Sequence, residues 1–236
     1  MKEKLYTIPV NDAFSIDCEC PICQIYKKLE DDAVDFTMGS SYMEDDTRAL
    51  TDAAGFCEKH IKMVYHKDNR LGMAWVMKTH FDKTISDMKS NLPGGPAKML
   101  KKGIENSPAI QYIDRLNNSC FVCDRINNFF DRYIDTVLFL YKTDSEFRNK
   151  YVNSKGICSP HYSILLKKAA KVLKGSELEE FVSVTNRLYI DNMERVRDDL
   201  AWFINKFDYK YQDEPWYNAK DSVVRSMVKT NSVLEP

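Results

Sequence analysis

Glycine and proline are scarce in this sequence, which contains only eight of each among 236 residues. Both residues interrupt regular structure and mark turns, so a chain with few of them contains long uninterrupted segments. In those segments the apolar residues recur every three or four positions and do not alternate with polar ones. The pattern predicts an all-α fold, a bundle of helices.

The sequence also lacks a long apolar run, an apolar leader and an excess of charge. No stretch reaches transmembrane length, and the first residues, MKEKLYTIPVNDAF, have no core of a secretory signal. The formal net charge is -1, which gives no reason to expect a nucleic-acid partner. These absences predict a cytoplasmic protein that binds neither nucleic acid nor membrane.

Two segments are predicted to form long helices whose apolar seams face inward in an antiparallel bundle. The seam of residues 71–92 consists of Ala74, Met77, Phe81, Ile85, Met88 and Leu92. The seam of residues 176–208 consists of Tyr189, Met193, Val196, Leu200, Phe203 and Phe207. Shorter helices are predicted over residues 22–36, 44–54, 58–66, 109–118, 124–141, 160–174 and 219–228. The acidic stretches LEDDAVDF and YMEDDTRA are interpreted as solvated helix faces.

Two cysteine motifs occur twice along the chain. CPIC at residues 20–23 recurs as CFVC at 120–123, an offset of 100, and GFCEKH at 55–60 recurs as GICSPH at 156–161, an offset of 101. The pattern predicts an internal duplication. We expect one metal-stapled helical half over residues 1–92, a linker over 93–108, a second stapled half over 109–208 and an aromatic C-terminal clasp with a short helix over 209–236, or all of these in one compact domain.

Each half contains Cys-x2-Cys followed, after 33 or 34 residues, by Cys-x2-His. Three sulfurs and one imidazole make a tetrahedral Cys3His set, and such a closed set is structural, since it leaves no coordination position for substrate. Grouped by halves, the predicted ligands are Cys20, Cys23, Cys57 and His60 for the first site and Cys120, Cys123, Cys158 and His161 for the second. The predicted cofactors are two zinc ions, with an iron–sulfur cluster as the alternative.

Other readings of the cysteines are weaker. Seven cysteines in a reducing compartment indicate metal binding or catalysis more often than disulfides. A thioredoxin-like role for CPIC needs a βαβ setting, which this sequence does not predict. Cys18 has no counterpart in the second half, and it is either a bystander, a further ligand or a redox thiol.

The segment KFDYKYQDEPWYNAKDSVVRS follows the longest predicted helix and is dense in aromatic residues. It is predicted to pack back on the bundle as a clasp, with a recognition surface as the alternative. The candidate binding residues outside the metal sites are Asp45, Arg48, Asp213, Glu214, Trp216 and Tyr217.

The motifs CECPIC, SYMEDDTRA, GFCEKH, NRLGMA, CFVCDRI and GICSPHY, together with the aromatic segment, resemble an uncharacterised family of bacterial proteins, a domain of unknown function. Members of that family are sometimes labelled ABC transporter substrate-binding proteins. The sequence contradicts this label, because it has no export signal, no lipobox and no α/β alternation. The resemblance implies no established activity.

Three hypotheses for the function follow. The first is a non-enzymatic zinc-stabilised scaffold or adaptor that binds a protein or a small ligand. The second is a redox- or metal-responsive switch in which Cys18 helps oxidation to expel the first metal. The third is an enzyme with a cleft away from the zinc ions, formed by Asp45, Arg48 and the DEPWY residues.

Overall fold

The computed structural model describes residues 4–92 and 103–234. Within these ranges the chain forms eleven α-helices and three short 3-10 turns, and it contains no strand. The all-α prediction is confirmed. Residues 93–102 of the predicted linker lie outside the described residues, and the remainder of that linker forms a 3-10 turn at Ile104–Asn106 before the next helix begins.

The α-helices in chain order are α1 Lys4–Ser15, α2 Pro21–Met38, α3 Asp45–Ala54, α4 Glu58–Tyr65, α5 Arg70–Asn91, α6 Pro108–Asn117, α7 Phe121–Thr143, α8 Ser145–Val152, α9 Ser159–Val172, α10 Gly175–Asn205 and α11 Ser222–Asn231. The 3-10 turns are Ser40–Met43, Ile104–Asn106 and Tyr209–Tyr211. None of the described helices is long and apolar enough to span a membrane.

The chain divides into two compact units, and their boundaries do not follow the predicted halves. Unit 1 consists of residues 1–27 and 130–236, and unit 2 of residues 28–129. The first turns of α2 therefore belong with the C-terminal half of the chain, and the first turns of α7 belong with the N-terminal half.

The core of unit 1 is aromatic. Phe14 on α1 contacts Phe147 and Tyr151 on α8, with ring centroids 4.9 and 5.7 Å apart. The Tyr151 hydroxyl forms a hydrogen bond of 2.8 Å with Thr185 of α10, and the ring of Phe181 lies 5.6 Å from that of Tyr151. These contacts hold α1 and α8 against the longest helix.

Two of these helices, α1 and α8, are absent from the sequence-based predictions. Pro9 lies inside α1 and masks its helical pattern. Helix α8 has only eight residues, which is too short for an apolar period to repeat. Its one local signal is Asp144, whose side chain accepts hydrogen bonds from the backbone N–H groups of Glu146 and Phe147 as an N-cap.

The core of unit 2 is smaller and aliphatic. Val34 of α2, Val64 of α4, Val76 of α5 and Ile126 of α7 are all buried. Helix α5 packs mainly on α3.

The predicted inward seam of α5 is wrong. Phe81, Ile85 and Leu92 are 58, 49 and 51% exposed, and Ala74 is exposed as well. The helix instead buries Gly72 and Val76, which lie on the opposite face. The seam of α10 is better predicted, since Val196 is buried and its neighbours in the seam are half-buried. Phe207 is 76% exposed because the helix ends at Asn205.

Candidate metal centres

Four predicted ligands meet in unit 1, and we call this set cluster 1: Cys20, Cys23, Cys158 and His161. The Nδ1 atom of His161 lies 3.7, 3.4 and 3.1 Å from the sulfurs of Cys20, Cys23 and Cys158. The sulfurs of Cys23 and Cys158 are 3.6 Å apart. All four residues are buried.

The other four ligands meet in unit 2 and form cluster 2: Cys57, His60, Cys120 and Cys123. The Nδ1 atom of His60 lies 3.2 Å from the sulfur of Cys57 and 3.3 Å from those of Cys120 and Cys123. His60 and Cys120 are buried, whereas Cys57 and Cys123 are half-exposed. Cluster 2 is therefore the more accessible of the two.

The grouping of the ligands corrects the grouping by halves. The Cys-x2-Cys of each half joins the Cys-x2-His of the other half, so neither cluster is formed by one sequence half alone. The physical reason is that spacing along the chain only limits which residues can meet. Here the two motifs of one half lie in different compact units.

The motifs lie at the starts of helices, close to where the predicted helices of residues 22–36, 58–66, 124–141 and 160–174 begin. Helix α2 begins at Pro21, directly after Cys20, and Cys57 and Cys158 are the N-cap residues of α4 and α9. The first turn of a helix offers free N–H groups and a positive dipole end, which stabilise a thiolate. Each cluster thus gathers sulfurs at the ends of two helices, where negative charge costs least.

A glycine lies two residues before the cysteine in each Cys-x2-His motif. Gly55 has a φ of 58° and Gly156 a φ of 77°, both in the left-handed region that favours glycine. A Cβ on Gly55 would lie 2.9 Å from the His80 ring, and a Cβ on Gly156 would lie 2.9 Å from the backbone oxygen of Leu188. The glycines therefore let the loop before the ligand pass close to a neighbouring helix.

The other two histidines, His80 and His66, lie outside the clusters. The Nδ1 atom of His80 lies 2.9 Å from the backbone oxygen of Asp52, so this ring serves a packing and hydrogen-bonding role. His66 is exposed.

The electrostatics of cluster 1 favour a single negative charge among its sulfurs. Burial raises the pKa of Cys20, and the hydrogen bond to Cys158 is the main cause that raises the pKa of Cys23 to about 12. Hydrogen bonds from the thiols of Cys20 and Cys23 lower the pKa of Cys158. One thiolate is thus stabilised by two neighbouring thiols, and three thiolates together need a cation.

Cluster 2 has the same character. Burial opposes ionisation of Cys120, but the hydrogen bond with His60 outweighs it and lowers the thiol pKa to about 6. Burial and the charge of Cys120 raise the pKa of Cys123 to about 12. Three thiolates in cluster 2 would repel one another. A divalent cation would relieve this repulsion, because it neutralises two of the three negative charges.

The donor sets fit a single tetrahedral ion. Zinc bonds of about 2.3 Å to sulfur and about 2.0 Å to nitrogen give ligand-to-ligand distances of roughly 3.5–3.8 Å. The four donor atoms of each cluster all lie within 4.8 Å of one another. Both clusters are therefore compact enough to be closed by one ion.

A buried carboxylate supports the histidine of cluster 2. The Nε2 atom of His60 lies 3.0 Å from Oε1 of Glu30, and the ammonium of Lys59 lies 2.5 Å from the same oxygen. Burial lowers the pKa of His60, but its hydrogen bonds to Cys120 and Glu30 raise it to about 9. With Nε2 bound to the carboxylate, Nδ1 is left to face the sulfurs, an arrangement common behind metal-bound histidines.

Cluster 1 has a different outer layer. The ring of His161 packs against those of Phe130 and Tyr26, with centroids 5.5 and 6.2 Å away. The hydroxyl of Ser232, in the C-cap of α11, lies 3.0 Å from the sulfur of Cys158. The hydroxyl of Ser159 donates to the backbone oxygen of Lys229 at 3.1 Å. The C-terminal helix is thus fastened beside the ligands.

A buried ion-pair network also connects α11 to cluster 1. The ammonium of Lys229, only 1% exposed, donates to the backbone oxygen of Glu19 at 2.7 Å and lies 3.3 Å from its carboxylate. Arg195 of α10 contacts the same carboxylate at 2.5 Å. Because Glu19 directly precedes the ligand Cys20, this network fixes the backbone that presents the ligand.

Cys18 does not join either cluster. It is half-buried, and burial raises the pKa of its thiol, so the local environment does not activate it as a nucleophile. The four donors of cluster 1 are complete without it.

Part of the aromatic C-terminal segment contacts the end of α10. The Nε1–H group of Trp202 donates to the backbone oxygen of Pro215 at 2.9 Å, and Phe203 lies 5.8 Å from Trp216. The buried ammonium of Lys206 donates to the backbone oxygens of Tyr211 and Gln212 at 2.7 and 2.8 Å. Phe207, Tyr209 and Tyr217 stay 76, 80 and 69% exposed.

The other candidate binding residues are distributed over both units. Asp45 and Arg48, at the start of α3 in unit 2, form an ion pair with each other. Asp213 and Glu214 lie in unit 1 and are exposed. Within the described residues, neither unit by itself therefore contains all of these groups.

Sequence reasoning missed four residues around the clusters: Glu19, Glu30, Lys229 and Ser232. Glu30 belongs to LEDDAVDF, which was interpreted as solvated, yet it is buried. The sequence signal for its burial is the helical period of α2, which places Glu30 on the same face as Ala33 and Val34, both buried. For Ser232 and Lys229 no local signal exists, since their partners lie far away in the sequence.

Fold and site together define a class: an all-α protein with two Cys3His clusters capable of holding metal ions. Over residues 1–236 the chain matches the model of a family described as a family of unknown function (DUF6062). The chain belongs to this family, which confirms the resemblance seen in its motifs. No curated protein and no solved structure matches the chain.

Proposed function

We propose that the protein is a non-enzymatic scaffold or adaptor whose fold is held by two structural zinc ions. The observation that carries the proposal is the closure of each cluster by three sulfurs and one Nδ1 atom within 4.8 Å. A full tetrahedral set leaves no position for water or substrate, which is the mark of a structural site.

Zinc suits these clusters better than the alternative, an iron–sulfur cluster. Such a cluster distributes its protein ligands over several irons with sulfides between them, so its ligands lie further apart than those of one ion. Here the sulfurs of Cys23 and Cys158 are 3.6 Å apart. Three sulfurs and one imidazole at this spacing are typical of closed zinc sites.

The position of the clusters explains what the metals would stabilise. Cluster 1 joins Cys23 to Cys158, 135 residues later, and cluster 2 joins His60 to Cys123, 63 residues later. Zinc in small metal-binding domains contributes on the order of 10–16 kcal/mol, which equals or exceeds the about 5–15 kcal/mol that keeps a typical domain folded. Each unit would therefore depend on its ion.

Metal analysis tests this proposal. Protein purified without added metal is expected to contain two zinc ions per chain and to show no visible absorption. Removal of the zinc by a chelator at neutral pH should abolish the cooperative thermal transition followed by circular dichroism, and zinc should restore it. A visible iron–sulfur spectrum, or full thermal stability after complete metal loss, would contradict the proposal.

The adaptor part of the proposal is supported by the exposed aromatics of the C-terminal segment. Phe207, Tyr209 and Tyr217 surround a clasp that is itself held rigid by Lys206 and Trp202. Rigid exposed aromatics are favourable anchors for a protein or small-ligand partner. A photoreactive amino acid in place of Tyr209 should crosslink one partner, and Tyr217→Ala should reduce that crosslink.

A redox- or metal-responsive switch is the second candidate, and exposure favours cluster 2 as its site. Peroxide would oxidise two thiolates to a disulfide and be reduced to two waters with uptake of two protons, releasing the ion. Cys57 and Cys123 are half-exposed, whereas every ligand of cluster 1 is buried. The first-site switch at Cys18 is thus the less favoured version.

The two versions differ in a measurable way. Mild peroxide should quickly release one equivalent of zinc per chain, which a zinc-sensitive dye detects. Cys123→Ser protein, which keeps only cluster 1, should lose this fast phase. Equal resistance of both clusters would remove the switch hypothesis.

A further inference from the structure

Helix α5 presents an apolar face to the solvent. We call this face the α5 stripe, and it consists of Leu71, Trp75, Phe81, Ile85 and Leu92, which are 66, 48, 58, 49 and 51% exposed. At 100° per residue the first four positions fall on one side of the 22-residue helix, and Leu92 is its C-cap. An ordinary surface helix turns such a side toward the core.

The opposite side of α5, which is largely polar, fastens the helix to unit 2. The hydroxyl of Thr79 donates to the carboxylate of Asp52 on α3 at 2.6 Å, and the His80 ring contacts the backbone oxygen of Asp52 at 2.9 Å. Gly72 and Val76 are the buried positions of the helix. The α5 stripe therefore stays free because specific contacts hold the other side inward.

The α5 stripe is large for a monomer. Five large apolar side chains, each about half exposed, leave on the order of 500 Å² of apolar surface, which is near the upper limit for the largest patch on a monomeric protein. A standard interface buries about 800 Å² on each partner, including a polar rim. The stripe and its flanking residues are thus of the size that a protein interface requires.

The charges within the stripe select the occupant. Lys78 and Asp82 lie between Trp75 and Ile85 on the same side, where they form an exposed ion pair of 2.6 Å with each other. A parallel copy of the helix would place Lys78 against Lys78 and Asp82 against Asp82. An antiparallel copy whose two-fold axis passes near residue 80 would instead place each Lys78 against an Asp82, and each Trp75 against an Ile85.

We propose that the α5 stripe is a homodimer interface in which α5 pairs with α5 of a second copy, antiparallel about a two-fold axis near residue 80. The same patch on both chains is then complementary to itself, as a two-fold interface requires. Trp75 and Phe81 lie near its centre, where aromatic side chains contribute most to binding. This inference goes beyond the proposed zinc scaffold, since α5 supplies no donor to either cluster.

Sedimentation equilibrium over a range of concentrations tests the interface, with circular dichroism as the check of folding. The wild-type chain is expected to be a dimer. Lys78→Glu faces one Asp82 carboxylate of the partner, a repulsive contact that the two-fold axis repeats, and should weaken dimerisation about tenfold or more. The double variant Lys78→Glu/Asp82→Lys exchanges the charges and should restore the wild-type constant.

The matched control is the exposed pair Glu58–Lys62 on α4, which has the same i,i+4 arrangement in the same unit. Lys62→Glu and Glu58→Lys/Lys62→Glu should leave dimerisation unchanged. Phe81→Asp should give a monomer with an unchanged helical spectrum; if that variant does not fold, the charge pair alone decides. A monomeric wild-type chain would overturn the proposal, and so would a double variant that dimerises as weakly as Lys78→Glu.

Discussion

The hydroxyl of Ser232 lies 3.0 Å from the sulfur of Cys158. The two residues are 74 positions apart, and the contact places the end of the last helix directly on a candidate metal ligand. Ser232 adopts a left-handed conformation with φ of 60° at the C-cap of α11, so the chain turns there just as it meets the cluster. A hydroxyl hydrogen bond to a thiolate reduces its charge and fixes its direction, which makes Ser232 an outer support of cluster 1.

We therefore expect Ser232→Ala to weaken zinc binding at cluster 1 by roughly tenfold. The measurement is the rate of zinc transfer to a chelating dye from Cys123→Ser protein, in which only cluster 1 is intact. Ser226→Ala is the control, because Ser226 lies on α11 and its hydroxyl donates to the backbone oxygen of Val223 on that helix, away from cluster 1. In Cys23→Ser protein, which retains cluster 2, Ser232→Ala should not change the rate of zinc transfer. A similar loss at both clusters would indicate a general destabilisation instead.

The crossed grouping of ligands makes a prediction about zinc stoichiometry. Cys23→Ser/Cys158→Ser alters cluster 1 twice and should retain one zinc, whereas Cys23→Ser/Cys57→Ser alters both clusters and should retain none. Grouping by sequence halves predicts the reverse for these two double variants. Each single variant should hold one zinc and supplies the reference, and mass spectrometry under native conditions reads the count directly.

The ligand types and their helical positions were predictable from the sequence, because they depend on local rules. Pro21 starts a helix, and Cys57 and Cys158 precede one, whatever the rest of the chain does. The choice of which Cys-x2-Cys meets which Cys-x2-His is not local. It depends on α2 and α7, because each of these helices begins in one unit and ends in the other.

Burial was less predictable than helicity. The period of α5 correctly indicates a helix, yet the face that carries Phe81 and Ile85 lies outward while Val76 is buried. The reverse holds for Glu30, whose acidic surroundings suggest solvent although it supports His60. In both cases a tertiary partner decides the outcome, Asp52 for α5 and His60 for Glu30, and no single-helix pattern contains that partner.

Glu30 is expected to tune the zinc affinity of cluster 2. Glu30→Gln keeps the shape but removes the charge that orients and polarises His60, and such changes typically cost 10–100-fold in metal affinity. The measurement is competition with a chelator of known affinity in Cys23→Ser protein, where only cluster 2 remains. Asp32→Asn is the control, because Asp32 lies on the same helix with a side chain 60% exposed and paired with Lys28. An affinity equal to wild type for Glu30→Gln would show that the carboxylate does not support the ligand.

The loop before cluster 1 gives a prediction about the folded state itself. Gly156 and Gly175 both have positive φ, 77° and 55°, but a Cβ on Gly156 meets the backbone oxygen of Leu188 at 2.9 Å, while a Cβ on Gly175 meets nothing within 4 Å. Gly175→Ala should cost about 1 kcal/mol of unfolding free energy from the left-handed conformation alone. Gly156→Ala should cost at least about 2 kcal/mol, because α10 must also move away from the loop.

Urea denaturation of the zinc-loaded chain measures both costs, and the difference between the two glycines isolates the close approach of α10. That approach has a consequence at the metal centre, since Gly156 lies two residues before Cys158. A displaced loop would shift Cys158 relative to His161, whose Nδ1 atom is 3.1 Å from its sulfur. Gly156→Ala should therefore also release zinc from cluster 1 faster than wild type, whereas Gly175→Ala should not. Equal costs and equal release rates for the two variants would mean that the helix and the loop are not in contact at this point.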